Sequence, residues 1–190
     1  GMVIPVIVEV LNEVEFQMPY LEDSNGKIDY NWNENGVELV TLRESDFQKI
    51  KKIISFFQIL ETDNVSEGVV NQLYEAGYKT IKDILNLKKS DLEKIDRFGK
   101  RKSQIVYDSI QKSIKDVQLS KLQHASGIFK GLGQLKLVKL EHFTTKPNIE
   151  KVMEIEGFAE ITATTYVESY DDFFEFIKDL PITISKKEDV

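Results

Sequence analysis

Cysteine is absent from this 190-residue chain, which excludes disulfides and any thiolate-ligated zinc site. Imidazole is nearly as scarce. Only His124 and His142 are present; with no acidic partner at metal spacing, both read as ordinary helix residues. No apolar run approaches the roughly 20 residues that a membrane span needs. The longest candidate, Met2 to Val10, is broken by Pro5 and Glu9 and lacks the basic start and small-residue cleavage site of a secretory signal. No membrane association is expected, and the default address is cytoplasmic. Gly1 ahead of Met2 reads as a remnant of tag cleavage before a start methionine, which fits a whole gene product or an excised domain given a methionine. Also missing are a phosphate-cradling P-loop, a carboxylate cluster at metal spacing and a nucleophile with a matching base, so nothing favours an independent enzyme.

What is present is an ordered, charged chain. The hydrophobic share is 41% and the charged share 30%, a balance that fits a globular protein and not a disordered tail. The length suits one domain with an appendage, or two small domains. The net charge of −7 argues against a polyanionic partner until its distribution is read. Lys79 to Lys139 holds fifteen Lys or Arg against six Asp or Glu, a balance of +9, while the remaining residues carry −16. A basic middle between acidic flanks is the asymmetry of a polyanion-binding face; a solvated lysine-rich helix surface is the plain alternative.

Residues 2–14 are β-branched and read as extended, with Pro5 at an edge or strand start. A polar, aromatic stretch from Phe16 to Leu42 follows, with turn signals at Asn25-Gly26 and Asn35-Gly36. Lys27 to Trp32 and Val37 to Leu42 flank the second turn, which predicts a small hairpin ribbon. From Glu44 the period becomes helical. Ser45 can cap a helix whose apolar stripe is Phe47, Ile50, Ile53, Ile54 and Phe57. The expected divisions are a β-rich segment 1–43, a helical domain 44–180 and a tail 181–190.

The helical part carries a repeat. Four windows share one pattern: Thr62 to Ser66, Ile95 to Gly99, Phe129 to Gly133 and Ile155 to Ala159. Each has an apolar residue (Val65, Phe98, Leu132, Phe158) just before a final small one. Four positions later stand Val70, Ser103, Leu137 and Ala163, and seven later Leu73, Val106, Leu140 and Tyr166. Those offsets place one stripe on a helix that starts at the turn. The final residues are 33, 34 and 26 apart, room for two short helices and a hairpin in each unit, as in a tandem array. The fold class predicted is mainly α, a tandem helix-hairpin-helix domain preceded by the small β-rich segment.

A tight turn of small residues at a helix start lets successive N–H groups point outward together. First-turn amides are unpaired and lie at the positive end of the helix dipole, so a phosphate oxygen is a natural ligand. Such a turn grips backbone and reads no bases. The second turn carries Arg97, Lys100, Arg101 and Lys102 around Gly99, and the third carries Lys130, Lys136 and Lys139 around Gly131 and Gly133. The first has Asp63 and Glu67, with Asn64 and Ser66 in place of glycines. The fourth has Glu154, Glu156 and Glu160, with Ala159 as its last residue. Carboxylates near a phosphate subtract from the counterion-release gain. The second and third turns are therefore expected to supply most phosphate contacts, and the first and fourth chiefly to build the core.

Tandem units of this spacing resemble the corresponding domain of bacterial-type, NAD-dependent DNA ligases. Val65 to Gly77 is similar to that family's first unit, Asp91-Leu92 through Gly99 to Ser103 to its second, and Ser126-Gly127-Ile128 leading into Gly131-Leu132-Gly133 to its third. Upstream, Val3-Ile4-Pro5 looks like the end of the family's OB domain. Met18-Pro19 with its ribbon looks like the small zinc module, and Phe56-Phe57 like the aromatic that closes the following helix. The four cysteines of the zinc module are missing, so Tyr20, Tyr30, Trp32 and Val37 are expected to pack in their place. The family's adenylation lysine sits in a Lys-x-Asp-Gly sequence. Here Lys27-Ile28-Asp29 is followed by Tyr30, and Lys94-Ile95-Asp96 by Arg97.

The resemblance therefore implies a non-catalytic DNA clamp working with an adenylation domain or subunit that uses NAD and Mg, with no cofactor in this chain. The partner would be double-stranded or nicked DNA. Two rival readings are a general helix-hairpin-helix module of another repair or recombination protein, and a protein-interaction scaffold.

Overall fold

The computed structural model describes the backbone of residues 22–23, 26–27, 30–32 and 39–41, and residues 45–185 in full. The extended start expected over residues 2–14, the Asn35-Gly36 turn and the packing of Tyr20, Tyr30, Trp32 and Val37 lie outside the described residues. Contacts divide the chain into two units, residues 1–46 and 47–190. In the first, β1 (Glu22–Asp23) pairs antiparallel with β2 (Gly26–Lys27), and β3 (Tyr30–Trp32) with β4 (Leu39–Thr41), Tyr30 opposite Thr41.

The second unit is helical throughout its described length apart from one isolated β-bridge. In chain order come α1 (Asp46–Ile59), α2 (Glu67–Glu75), α3 (Ile81–Leu85), α4 (Lys89–Glu93), α5 (Gly99–Ser113), α6 (Leu119–Ser126), α7 (Gln134–Val138), α8 (Ile149–Met153) and α9 (Glu160–Ile177). Local chemistry sets several starts. The Ser66 hydroxyl accepts from the Val69 amide, Thr80 from Asp83 and Asn148 from Lys151, each satisfying an orphan first-turn donor. No helix among the described residues is long and apolar enough to cross a membrane.

The repeat's apolar register is the core register. Val70, Ser103, Leu137 and Ala163 are wholly buried, and Leu73, Val106, Leu140 and Tyr166 are nearly so. Val65, Phe98, Leu132 and Phe158 anchor the turns from beneath, all buried. All of these except the polar Ser103 join one continuous apolar cluster running from Ile53 to Leu180. Within it Phe129 stacks on Tyr166 at 5.2 Å between ring centroids and meets Phe173 at 5.5 Å. Burial of this kind is worth about 1.5–3 kcal/mol for each large side chain, so the stripe alone makes a large stabilising contribution.

One expectation about α1 needs correcting. Phe47 is 65% exposed and Phe56 is fully buried, so the covered face is Ile53, Phe56, Phe57 and Leu60. The Phe47 ring instead lies along an open groove between α1 and α2, with the Lys51 ammonium 4.4 Å from its centroid. At the other end, residues 182–185 return to the α5–α6 connection. There the Thr183 amide donates to the Ile114 carbonyl, and the Val117 and Ser185 amides close a short parallel bridge.

Candidate nucleic-acid interface

Each of the four turns links a helix to the next at an exposed tip. The backbone conformation that excludes most L-residues falls on the third residue of each window: Asn64 (φ 60°), Arg97 (φ 63°), Gly131 (φ 75°) and Gly157 (φ 92°). The last residue, glycine in the second and third turns, is extended in three of the four turns. Ser66 (φ −78°, ψ 169°), Gly133 (φ −75°, ψ 164°) and Ala159 (φ −84°, ψ 169°) are the N-caps of α2, α7 and α9. Serine and alanine are accommodated there without strain because this conformation leaves room for a Cβ. The second turn is built differently. Phe98 is helical (φ −80°, ψ −48°) and Gly99 has φ +59°, so glycine is a backbone requirement at that site. Asparagine tolerates the left-handed region at position 64, whereas Arg97 occupies it as an ordinary L-residue.

The turns associate as two pairs. Asn64, Ser66 and residues Phe98 to Lys102 line one open groove of about 680 Å³. The Asn64 amide donates to the Ser109 hydroxyl at 3.1 Å, and the Lys102 ammonium donates to the Gln72 side chain at 2.6 Å. Gln72, six residues beyond its cap, lies with Asp96 and Arg97 along a second groove. The residue six beyond the Gly133 cap is Lys139, and its ammonium donates to the Glu156 carbonyl in the fourth turn at 3.0 Å. The first turn thus associates with the second and the third with the fourth. Each pair combines one basic tip with one flanked by carboxylates.

The residues expected to touch phosphate separate into two groups. Lys100, Arg101, Lys130 and Lys136 are exposed and have no ion pair or side-chain hydrogen bond among the described residues. Arg97 faces Asp96 at 3.7 Å, Lys102 also covers the Phe98 ring at 4.3 Å, and Lys139 is bonded to the fourth turn. Gly99, Gly131 and Gly133 stand in open space, with nothing in the chain within 4 Å of where a Cβ would be. Among the described residues their main-chain amides have no hydrogen-bond acceptor. Neither the backbone angle nor any neighbour therefore requires glycine at position 133.

The first turn, expected chiefly to build the core, buries Val65, while its Asn64 and Ser66 line the same groove as Lys100 and Arg101. An asparagine aligned with glycines at the left-handed position was the available signal. Elsewhere the Glu61 carboxyl is held below its usual range by hydrogen bonding and attraction from the Lys121 ammonium of α6. Burial pushes the Tyr166 hydroxyl up to about 12. Among the described residues no group of three or more His, Asp or Glu is arranged to hold a metal ion.

No family model matches the chain. Comparison with curated proteins finds a DNA ligase of Acanthamoeba polyphaga mimivirus that is 30% identical across 98% of this chain and 31% of its own length. A DNA ligase of Nitratiruptor sp. is 35% identical over 64% of the chain and 18% of its length. A putative DNA ligase of Invertebrate iridescent virus 6 is 28% identical over 72% of the chain and 22% of its length. The chain spans about a third or less of the relatives it matches.

Proposed function

This chain is homologous to a C-terminal part of the DNA ligases, and from that premise we propose that it is the DNA-holding, non-catalytic portion of an NAD-dependent ligase. The proposal extends to the tandem helix-hairpin-helix reading of the helical unit and the OB-end and ribbon reading of residues 1–43. The observation that carries it is the set of exposed turns on which unpartnered cations (Lys100, Arg101, Lys130, Lys136) stand beside unbonded main-chain amides (Gly99, Gly131, Gly133). Such a surface suits the backbone of double-stranded or nicked DNA, where phosphates take both charge and hydrogen bonds and base identity is not read. The groove shared by the first two turns adds Asn64 and Ser66 as neutral donors. Lys102 and Lys139 hold the turns in shape and reach phosphate only by exchanging an internal partner for an external one, while Arg97 has only the exposed carboxylate of Asp96 beside it.

In this reading an adenylation domain or subunit, on the same or another polypeptide, supplies the chemistry with NAD and Mg, and this chain supplies affinity. The test is fluorescence anisotropy with a nicked duplex at several salt concentrations, followed by nick sealing with a ligase adenylation domain added. Salt-dependent binding and raised sealing at moderate salt are expected. Binding that ignores salt, or none, refutes the DNA role. Binding without any gain in sealing refutes the ligase partnership and leaves a general DNA-binding module.

A further inference from the structure

Leu135 is 87% exposed, more than any other large hydrophobic side chain among the described residues. It stands two residues beyond the Gly133 cap, on the first turn of α7. At the same offset from the final residue of the other turns stand Gly68 and Arg101, both exposed, and Ile161, which is 82% exposed. The two aliphatic tips are matched in exposure and register but not in setting. Leu135 is flanked by Lys136 and preceded on the same turn by Lys130, neither of which has an internal partner. Ile161 follows Glu160 and the exposed Glu154 and Glu156 of its turn.

We propose that Leu135 is an apolar wedge that enters a DNA groove between the phosphates held by Lys130 and Lys136, and loosens the stacking of the base step it meets. The inference rests on the DNA-holding role proposed above. Phosphates lie at the rim of a groove, and sugar and base edges form its floor, so an exposed side chain on the same turn as phosphate-binding cations meets that floor. Aliphatic side chains at such positions part base steps and bend the duplex. Charge complementarity selects the occupant. Leu135 and the part-exposed Val138 (39%) of the same helix make only a small apolar spot, with the free Lys136 between them in sequence; that matches a polyanion with an apolar interior, whereas a protein-docking face presents a larger contiguous apolar patch. The same argument excludes Ile161, whose acidic neighbours repel phosphate, and makes it an internal control.

The experiment uses the full chain and a nicked duplex carrying 2-aminopurine at successive positions, read by fluorescence at saturation and by affinity across a salt series. The parent chain brightens the probe at one or two adjacent steps. Leu135→Ser binds about tenfold more weakly with an unchanged salt slope, the effect of losing one buried aliphatic side chain, and the brightening disappears. Leu135→Met restores both, while Ile161→Ser leaves both at parental values. An unchanged unfolding temperature for Leu135→Ser shows that the loss is not structural. Parental binding and brightening by Leu135→Ser, or equal losses from Ile161→Ser, overturn the wedge and leave the DNA role standing. If the parent chain does not bind DNA, both fall, and a protein partner is the remaining use for the exposed leucine.

Discussion

Two glycines two residues apart in the third turn should respond in opposite ways to substitution. Gly131 has φ +75° and Gly133 φ −75°, and a Cβ at either position meets nothing in the chain. Gly131→Ala forces an L-residue into the left-handed region at a cost of about 1–2 kcal/mol. For a chain of this size that lowers the unfolding temperature by roughly 2–8 °C. Gly133→Thr meets no such barrier. Threonine ranks with glycine as an N-cap, so stability should stay within about 0.5 kcal/mol of the parent. DNA affinity should change the other way. A branched side chain beside the unbonded Gly133 amide blocks a charge-assisted hydrogen bond worth about 1.5–3 kcal/mol, so binding weakens by roughly tenfold to a hundredfold. Thermal unfolding by circular dichroism and anisotropy titration with nicked duplex measure the two quantities separately. If Gly133→Thr is as unstable as Gly131→Ala, or binds DNA like the parent, the idea that an external ligand needs the Gly133 space is wrong.

Three further outcomes are expected. Reversing Lys100 and Arg101 to Glu should weaken duplex binding and flatten its salt dependence by about two charges' worth of counterion release; Lys151 and Lys178 reversed to Glu should do much less, and equal losses would contradict the placement of the interface. Leu137→Ala, which empties a wholly buried position on the repeat's stripe, should cost about 2–5 kcal/mol in denaturant unfolding; a cost under 1 kcal/mol would mean the stripe is not the core. Tyr166 ionises in the native state only near 12 against an ordinary 10, because burial disfavours the phenolate. Its contribution is therefore complete below pH 10 and declines as pH rises towards 12, because the unfolded chain loses the proton first. Unfolding followed from pH 9 to 12 should show that decline, reduced in Tyr166→Phe, and an undiminished decline in the variant would refute the assignment.

Much of the helical unit was legible because burial follows a period. A residue four or seven positions beyond a turn sits on the covered face of the helix that begins there, so those eight positions, with the four turn anchors, are buried in the structure. The caps Ser66, Thr80 and Asn148 follow from side-chain chemistry in the same local way. Phe47 escaped this reasoning because helical periodicity identifies a face but does not say how far along the helix its cover extends.

What the amino-acid order determined by itself was local: where helices begin, which side faces inward, and which tips are cationic. Tertiary structure decided three things that spacing cannot encode. It associated the first turn with the second and the third with the fourth, which brought Asn64 and Ser66 to the groove of Lys100 and Arg101. It engaged Lys102 and Lys139 in internal hydrogen bonds while leaving Lys100, Arg101, Lys130 and Lys136 unpartnered. It also placed the left-handed conformation at the third residue of each turn, taken by Asn64, Arg97, Gly131 and Gly157, and at Gly99 in the second. The reason is common to all three. A side chain's partners and a backbone angle's tolerance depend on residues brought close by packing, thirty or more positions away for Lys102 and Gln72, and such contacts leave no periodic trace in the chain.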